Sequence, residues 1–251
     1  MIAPQSETEA NMIEHDHSPE AIRERLEGGP LHSYTRDWVY GGIDGSVTTF
    51  AVVAGVVGAQ LAPGVILIIG MANILADGFS MAASNFLGTK TEHEELSHLE
   101  AIEHRHIERD PDGEREEVRQ IFQRKGFEGD DLQRVVDLIT SEPSRWVRTM
   151  LTEEYGLPQE IRSPWKAAAA TFSAFFACGL VPMAPFILEL PRPFTLSTLL
   201  TLCVFFLIGS LKSMWSTISW RRSGLETLLV GSIAAGLAYL AGVFLKGLTS
   251  A

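Results

Sequence analysis

The chain has little of what a secreted or disulfide-linked protein needs. It contains two cysteines, Cys178 and Cys203, and both fall inside long apolar stretches. A cysteine in such a stretch acts as a small apolar residue rather than as half of a disulfide or of a metal-binding pair. Residues 1–36 are polar and hold no apolar segment of the kind found in a secretory signal peptide. We therefore expect the N-terminus to stay in the cytosol.

Charge is scarce too, but only in parts of the chain. Charged residues make up 20% of the sequence, yet five stretches of about 20 residues, the length that spans a bilayer, hold almost none. These stretches cover residues 38–61, 64–87, 165–188, 194–211 and 225–245. They predict an all-α membrane protein with five transmembrane helices.

The distribution of basic residues predicts the orientation in the membrane. Short loops rich in Lys and Arg stay on the cytoplasmic side. Basic residues precede the first stretch, occur throughout residues 88–164 and return at residues 212–222, whereas the intervening loops hold only Arg192. Only Lys246, just past the fifth stretch, lies on the side that this pattern assigns to few basic residues. The pattern predicts a cytosolic N-terminus and a C-terminus outside.

Four regions follow from these patterns. They are a cytosolic tail (1–36), transmembrane helices one and two (37–88), a cytosolic helical insert (89–162) and transmembrane helices three to five (163–248). Turn sequences predict three helices in the insert, at about residues 89–109, 114–125 and 131–154, with Pro143 as a candidate break in the last. Since little separates the second stretch from the insert, one long helix can leave the membrane and enter the cytosol.

The insert is rich in acids and histidines. Glu100, Glu103 and His106 are spaced three apart and so share one helix face. Glu-x-x-His is the spacing used by carboxylate di-metal sites in helix bundles. The further candidate ligands on the two following helices are Glu114, Glu117, Met150, Glu153 and Glu154.

Two interpretations of this acidic run compete. Most charge runs form a solvated surface. However, like charges on one helix face repel each other unless a cation neutralises them. Histidine among carboxylates also suits a borderline transition metal better than calcium or magnesium. We therefore expect a divalent metal site in the insert.

Polar side chains inside the first two spans mark a candidate transport pathway. Asp44 lies in the first, and Asn73, Asp77 and Met81 lie at helical spacing in the second. Carboxylates in a bilayer are costly and usually face a cavity or pathway, and a thioether is a soft ligand for a transition metal. The alternatives are a capping role for Asp44 near the interface and plain packing for Met81.

Several motifs resemble one known family. The stretch from Trp38 to Gly55, WVYGGIDGSVTTFAVVAG, is similar to the opening signature of the vacuolar iron transporter family, whose members are iron and manganese exporters. DGFSMA, from Asp77, resembles its second-span signature, and MLTEEYGL, from Met150, resembles the end of its metal-binding domain. Pro182 and Pro185 fit its third span, and the resemblance covers about residues 36–247.

The resemblance implies a five-span homodimer with a cytosolic three-helix metal-binding insert. It implies a proton-coupled antiporter that exports ferrous iron, or manganese, from the cytosol. The family's pathway residues fall on Asp44 and Met81. Its metal-binding glutamates fall on Glu103, Glu114, Glu117 and Glu154, with Met150 nearby. Two positions depart from the family: Asn73 replaces an acid in the second span, and His106 replaces a glutamate, which keeps a ligand but removes a negative charge.

We expect no enzyme activity and no prosthetic group. The expected partners are Fe²⁺ or Mn²⁺, protons, the lipid bilayer and a second copy of the chain, and no nucleic acid. The lack of a targeting motif favours a prokaryotic plasma membrane. Cobalt and zinc stay open as substrates. Two other functions also stay open: a metal sensor, and a membrane-anchored iron-storage or ferroxidase-like bundle, although a di-iron bundle needs two Glu-x-x-His motifs.

Overall fold

The structure is a computed structural model that describes residues 16–27, 33–158, 162–215 and 217–249. All regular secondary structure in these ranges is helical. The helices are α1 (Pro19–Glu27), α2 (Thr35–Gly58), α3 (Pro63–Arg109), α4 (Pro111–Arg124), α5 (Gly129–Thr140), α6 (Pro143–Glu153), α7 (Pro164–Ile187), α8 (Pro193–Lys212) and α9 (Trp220–Thr249), with a short 3₁₀ helix at Ser213–Trp215. Helix α1 lies in a separate compact unit, residues 1–33. Residues 1–15 and 28–32 of the 1–36 tail lie outside the described ranges.

The five predicted spans are confirmed as long apolar helices. Helices α2, α3, α7, α8 and α9 are each long and apolar enough to cross a membrane. Their ends differ from the predicted ends by a few residues, because polar residues continue a helix beyond its apolar part. Thus α2 begins at Thr35 and includes Asp37, and α9 begins at Trp220.

Helix α3 continues without a break from the second span into the insert, as predicted. It has 47 residues, which corresponds to about 70 Å at 1.5 Å per residue. The helix stops at Asp110 because Pro111 disfavours a helical conformation at the preceding residue. The Asp110 side chain then accepts a hydrogen bond from the Gly113 amide at 3.1 Å and caps α4.

The insert differs in part from the prediction. Beyond the end of α3 it holds three separate helices, α4, α5 and α6, because the predicted third helix is divided before Pro143. Proline is favoured at the first position of a helix, so it begins α6 rather than kinking a longer helix. Six apolar side chains form the core of the insert: Val118, Leu132, Val136, Ile139, Trp146 and Met150.

In the membrane-spanning part, α7 packs against both α2 and α3. The contact with α2 is close because two glycines face α7: a Cβ at Gly41 or Gly45 would lie 2.3 Å from the Thr171 or Phe175 carbonyl oxygen. Proline at position 182 has no N–H to donate to the Cys178 carbonyl. The Ser46 hydroxyl lies 3.3 Å from that carbonyl and shares its proton between it and the Gly42 carbonyl, which is 2.9 Å away. Helix α7 therefore holds α2 and α3 in a fixed arrangement.

Candidate metal centre

Three side chains in the insert bring ligand atoms to one point. One atom each from Glu103, His106 and Glu114 lies within 4.8 Å of the others. His106 Nδ1 is 3.3 Å from Glu114 Oε1 and 3.8 Å from Glu103 Oε1. Glu103 and His106 lie one turn apart on α3, and the capped turn at Asp110 reverses the chain so that Glu114, in the first turn of α4, faces them. No other group of three such ligands occurs among the described residues.

The two glutamates of this cluster are buried and incompletely hydrogen-bonded. Glu103 is 1% exposed and Glu114 is 7% exposed. The Oε2 atom of each is buried without a hydrogen-bond partner. Buried polar atoms are normally hydrogen-bonded, and two carboxylates at one point repel each other. A divalent cation would satisfy both oxygens and neutralise the charge, so the residues present fit a metal ion.

The surroundings also disfavour negative charge in the absence of a metal. Burial, followed by the charges of Glu103 and Glu117, raises the pKa of Glu114 to about 7, and His106 opposes this shift. Burial, followed by the charges of Glu117 and Glu103, raises the pKa of Glu154. Glu117 and Glu154 thus lie close enough for their charges to act on the cluster, and their role as metal ligands stays a prediction.

Tyr155 is a member of the site that the sequence interpretation missed. Its hydroxyl donates a hydrogen bond to Glu103 Oε1 at 3.0 Å. Burial and this hydrogen bond raise the pKa of the phenol above its ordinary value. The only signal in the sequence is its position directly after Glu154 at the end of α6.

The structure does not bring the other three candidate ligands to the same point. Met150 is fully buried in the apolar core of the insert. Glu153 forms an ion pair with Lys125. Glu100 lines a separate cavity of about 230 Å³ between α3 and α6, together with Arg148. A role of these residues in metal binding stays a prediction.

Contacts between α2 and α3 place the candidate pathway residues. The Asn73 amide donates to the Thr48 hydroxyl at 3.4 Å, and further contacts near the other end fix the antiparallel register of the two helices. In this register, which the Asn85–Asp37 hydrogen bond continues, Asp44 lies at the level of Asp77. Met81 is one turn further along α3, about 6 Å away along the helix axis.

A buried ion pair lies where these helices meet the insert. Asp37 is 4% exposed and accepts hydrogen bonds from Arg162 Nη1 at 2.8 Å and from the Asn85 amide at 2.9 Å. Both Asp37 and Arg162 line a cavity of about 310 Å³ that Met81 and Glu92 also line. The sequence interpretation missed Asp37 because the first apolar stretch begins at the next residue.

Comparisons with known proteins agree with this arrangement. The family model described as "VIT family" matches residues 35–243. The vacuolar iron transporter 1 of Eucalyptus grandis is 32% identical over 209 residues, which are 81% of this chain and 83% of that protein.

Two further relatives extend the comparison. The vacuolar iron transporter of Toxoplasma gondii is 30% identical over 225 residues, covering 85% of this chain and 74% of that protein. The vacuolar iron transporter 1 of Arabidopsis thaliana is 29% identical over 210 residues, covering 81% of this chain and 83% of the relative. The resemblance found in the sequence motifs is therefore confirmed, and the chain is a multi-pass membrane protein that belongs to the VIT family.

Proposed function

We propose that this chain is a transporter of divalent transition metal ions, with ferrous iron as its first substrate and manganese as the next, that exports metal from the cytosol in exchange for protons. The relatives are named iron transporters. They are transporters rather than enzymes, which agrees with the expectation that this chain is not an enzyme.

One observation carries the proposal: two residues of the cluster, Glu103 and His106, and the pathway carboxylate Asp77 lie on one unbroken helix, α3. Glu103 and Asp77 are 26 positions apart in the sequence, which corresponds to about 40 Å along the helix. At that distance the cluster cannot be the site of passage through the membrane. Its role in the proposal is to collect the ion and raise its concentration near the membrane.

The cavity at Asp37 and Met81 suits the next step. It lies where α2 and α3 meet the insert, and it places the Glu92 carboxylate and the Met81 thioether between the cluster and the level of Asp44 and Asp77. In the proposal the ion passes this cavity and binds beside Asp44. Asn73 adds no charge at its level, so Asp44 and Asp77 supply the negative charge of the pathway.

Proton exchange follows from the same ligands. A carboxylate or imidazole must lose its proton before it binds a metal, so metal and proton compete for Asp44 and for the cluster. In the proposal a proton taken up from the far side displaces the metal there, and each proton that returns to the cytosol offsets one of the two charges that the ion carried out.

The orientation and assembly belong to the proposal as well. The basic loops favour a cytosolic N-terminus and insert and an outside C-terminus, and a prokaryotic plasma membrane is the proposed location. A homodimer is proposed from the resemblance to the family, and α3 carries exposed apolar side chains, such as Ile68 at 74% and Phe79 at 69% exposed. These side chains need lipid or a second copy to cover them.

Flux through the purified full-length chain in liposomes loaded with a metal-sensitive dye tests the proposal. We expect Asp44→Ala to abolish metal flux while the protein stays folded and dimeric, because the pathway loses a carboxylate that holds the ion. Asp130→Ala, which removes an exposed carboxylate on α5, is the matched control and should transport like the original chain. Unchanged flux through Asp44→Ala would refute the role of Asp44.

A further inference from the structure

The two carboxylate oxygens of Glu103 have different surroundings. Oε1 accepts the hydrogen bond from the Tyr155 hydroxyl at 3.0 Å. Oε2 is buried and has no hydrogen-bond partner. Because the whole side chain is 1% exposed, water does not make the two oxygens equivalent. Oε1 also lies 3.8 Å from His106 Nδ1, so it faces the cluster with part of its hydrogen-bonding capacity taken by the phenol, whereas Oε2 is fully available to an ion.

The end of α6 fixes the position of the tyrosine. Gly156 has a positive φ of 66°, and the Leu157 amide donates to the Leu151 carbonyl at 3.0 Å. Glycine has no Cβ and adopts this left-handed conformation without strain, so the chain turns sharply there. Tyr155 lies between the end of α6 at Glu153 and this turn. From there its phenol reaches across to α3, and its hydroxyl is held against Glu103.

We propose that Tyr155 is a positioning residue that limits Glu103 to one ligating oxygen and thereby makes the cluster select transition metals over calcium. This role rests on the proposed function of the insert as a metal-binding site. Calcium takes six to eight oxygen ligands and often binds a carboxylate through both oxygens. Transition metals accept fewer ligands and include nitrogen among them. An Oε1 atom that already accepts a phenol proton is a poor second ligand for a large cation.

The position of His106 agrees with this selectivity. Its Nδ1 atom lies 3.3 Å from Glu114 Oε1, so the cluster offers an imidazole nitrogen beside two buried carboxylates. Calcium has little affinity for nitrogen ligands, whereas iron, cobalt and zinc bind imidazole well. Tyr155 and His106 then act in the same direction, the first by withholding an oxygen and the second by supplying a nitrogen.

The test uses Tyr155→Phe in the full-length protein in detergent. This change keeps the ring and removes only the hydroxyl. Tyr34→Phe is the matched control, because the Tyr34 hydroxyl also forms a hydrogen bond, which it accepts from the Ser163 amide at 3.0 Å, but does not contact the cluster. Calorimetry gives the affinity of each form for Co²⁺, a stable substitute for Fe²⁺, and for Ca²⁺.

We expect Tyr155→Phe to lose about tenfold in Co²⁺ affinity, the effect typical of removing a hydrogen bond to a metal ligand. Its Ca²⁺ affinity should stay the same or rise, so the Co²⁺/Ca²⁺ affinity ratio should fall at least as far. Tyr34→Phe should keep the original ratio. The visible absorption of bound Co²⁺ should weaken in Tyr155→Phe as Glu103 ligates through both oxygens and the coordination number rises.

A purely structural role for Tyr155 gives a different result. General loosening of the insert weakens both metals alike and leaves both the affinity ratio and the Co²⁺ spectrum unchanged, and that result would overturn the proposal. If the unmodified chain binds Co²⁺ but Tyr155→Phe matches it, only the role of Tyr155 fails. If the unmodified chain binds no Co²⁺, the proposed function of the insert fails and the role of Tyr155 fails with it.

Discussion

Replacing Glu114 with glutamine should have opposite effects on stability in the absence and in the presence of metal. In the metal-free protein, Glu114 is buried beside Glu103 and its pKa is raised to about 7 from 4.5. Glutamine keeps the size of the side chain and carries no charge at any pH. The variant therefore removes the repulsion, but it also removes an anionic metal ligand.

The pKa of Glu114 gives the size and the sign of the first effect. A group whose folded-state pKa lies above its unfolded value stabilises the fold fully below the unfolded value. That stability is lost as the pH rises through the folded value. A shift from 4.5 to about 7 corresponds to about 3 kcal/mol of lost stability above pH 7. Roughly 2 kcal/mol of this loss develops between pH 5.5 and pH 8. Metal affinity changes with pH in the opposite direction: below pH 7 it should fall about tenfold per unit as the proton competes.

Hydrogen exchange at the backbone amides of α4, α5 and α6 measures this stability locally in the full-length protein. At pH 8 with a chelator, Glu114→Gln should raise the opening free energy of these helices above that of the original chain. At pH 5.5 this increase should be smaller by about 2 kcal/mol. With saturating Co²⁺, Glu114→Gln should instead have a lower opening free energy than the original chain. Glu116→Gln, which changes an exposed glutamate on the same helix paired with Arg119, is the control. If Glu114→Gln and the original chain have equal opening free energies at pH 8 and also at pH 5.5, the account of a strained carboxylate pair is refuted.

Substitutions at His106 and at the Asp37–Arg162 pair test other parts of the structure. If His106 is a ligand, His106→Ala should weaken metal binding and His106→Glu should shift preference from zinc toward manganese and iron; identical zinc and manganese affinities in all three forms would remove it from the site. Arg162→Met leaves the buried Asp37 without its cation, which should cost about 3 kcal/mol and lower the melting temperature in detergent. Adding Asp37→Asn to Arg162→Met should recover much of this loss, and a failure to do so would show that Arg162 does not act through Asp37.

The spans and the continuity of α3 could be predicted because they depend on local properties. The length of an apolar stretch and the lack of charge within it define a span. The missing helix breaker between the second span and the insert left α3 free to continue to Asp110. Pro143 likewise marked the start of α6, although the sequence left open whether the helix was interrupted there.

The metal cluster could be predicted in part, because three-residue spacing puts Glu103 and His106 on one face. The same spacing also puts Glu100 on this face. Glu100 lies one turn earlier on α3, at a level where the neighbouring helix is α6 rather than α4, and it lines the cavity there. Spacing along α3 gives the face but not the level at which another helix covers it. Neighbouring acids pose the same problem: Glu153 pairs with Lys125, whereas the adjacent Glu154 feels the charges of the cluster.

Contacts between distant segments were outside the reach of the sequence. Asp37 is buried because Arg162, 125 positions later, neutralises it, and no local pattern relates the two. Tyr155 acts on Glu103 across 52 positions. In both cases a polar residue at the end of a helix gains its role from the tertiary fold.

The most direct test of the account is Fe²⁺ flux driven by a pH gradient. Liposomes that contain the purified full-length chain, with an acidic interior and a metal-sensitive dye, are given Fe²⁺ from outside under reducing conditions while a second dye reports internal pH. The account predicts that Fe²⁺ enters faster than in protein-free liposomes, that the interior loses protons as it does so, and that both signals disappear in Asp44→Ala. Fe²⁺ entry no faster than in protein-free liposomes would contradict the central claim that this chain transports divalent metal.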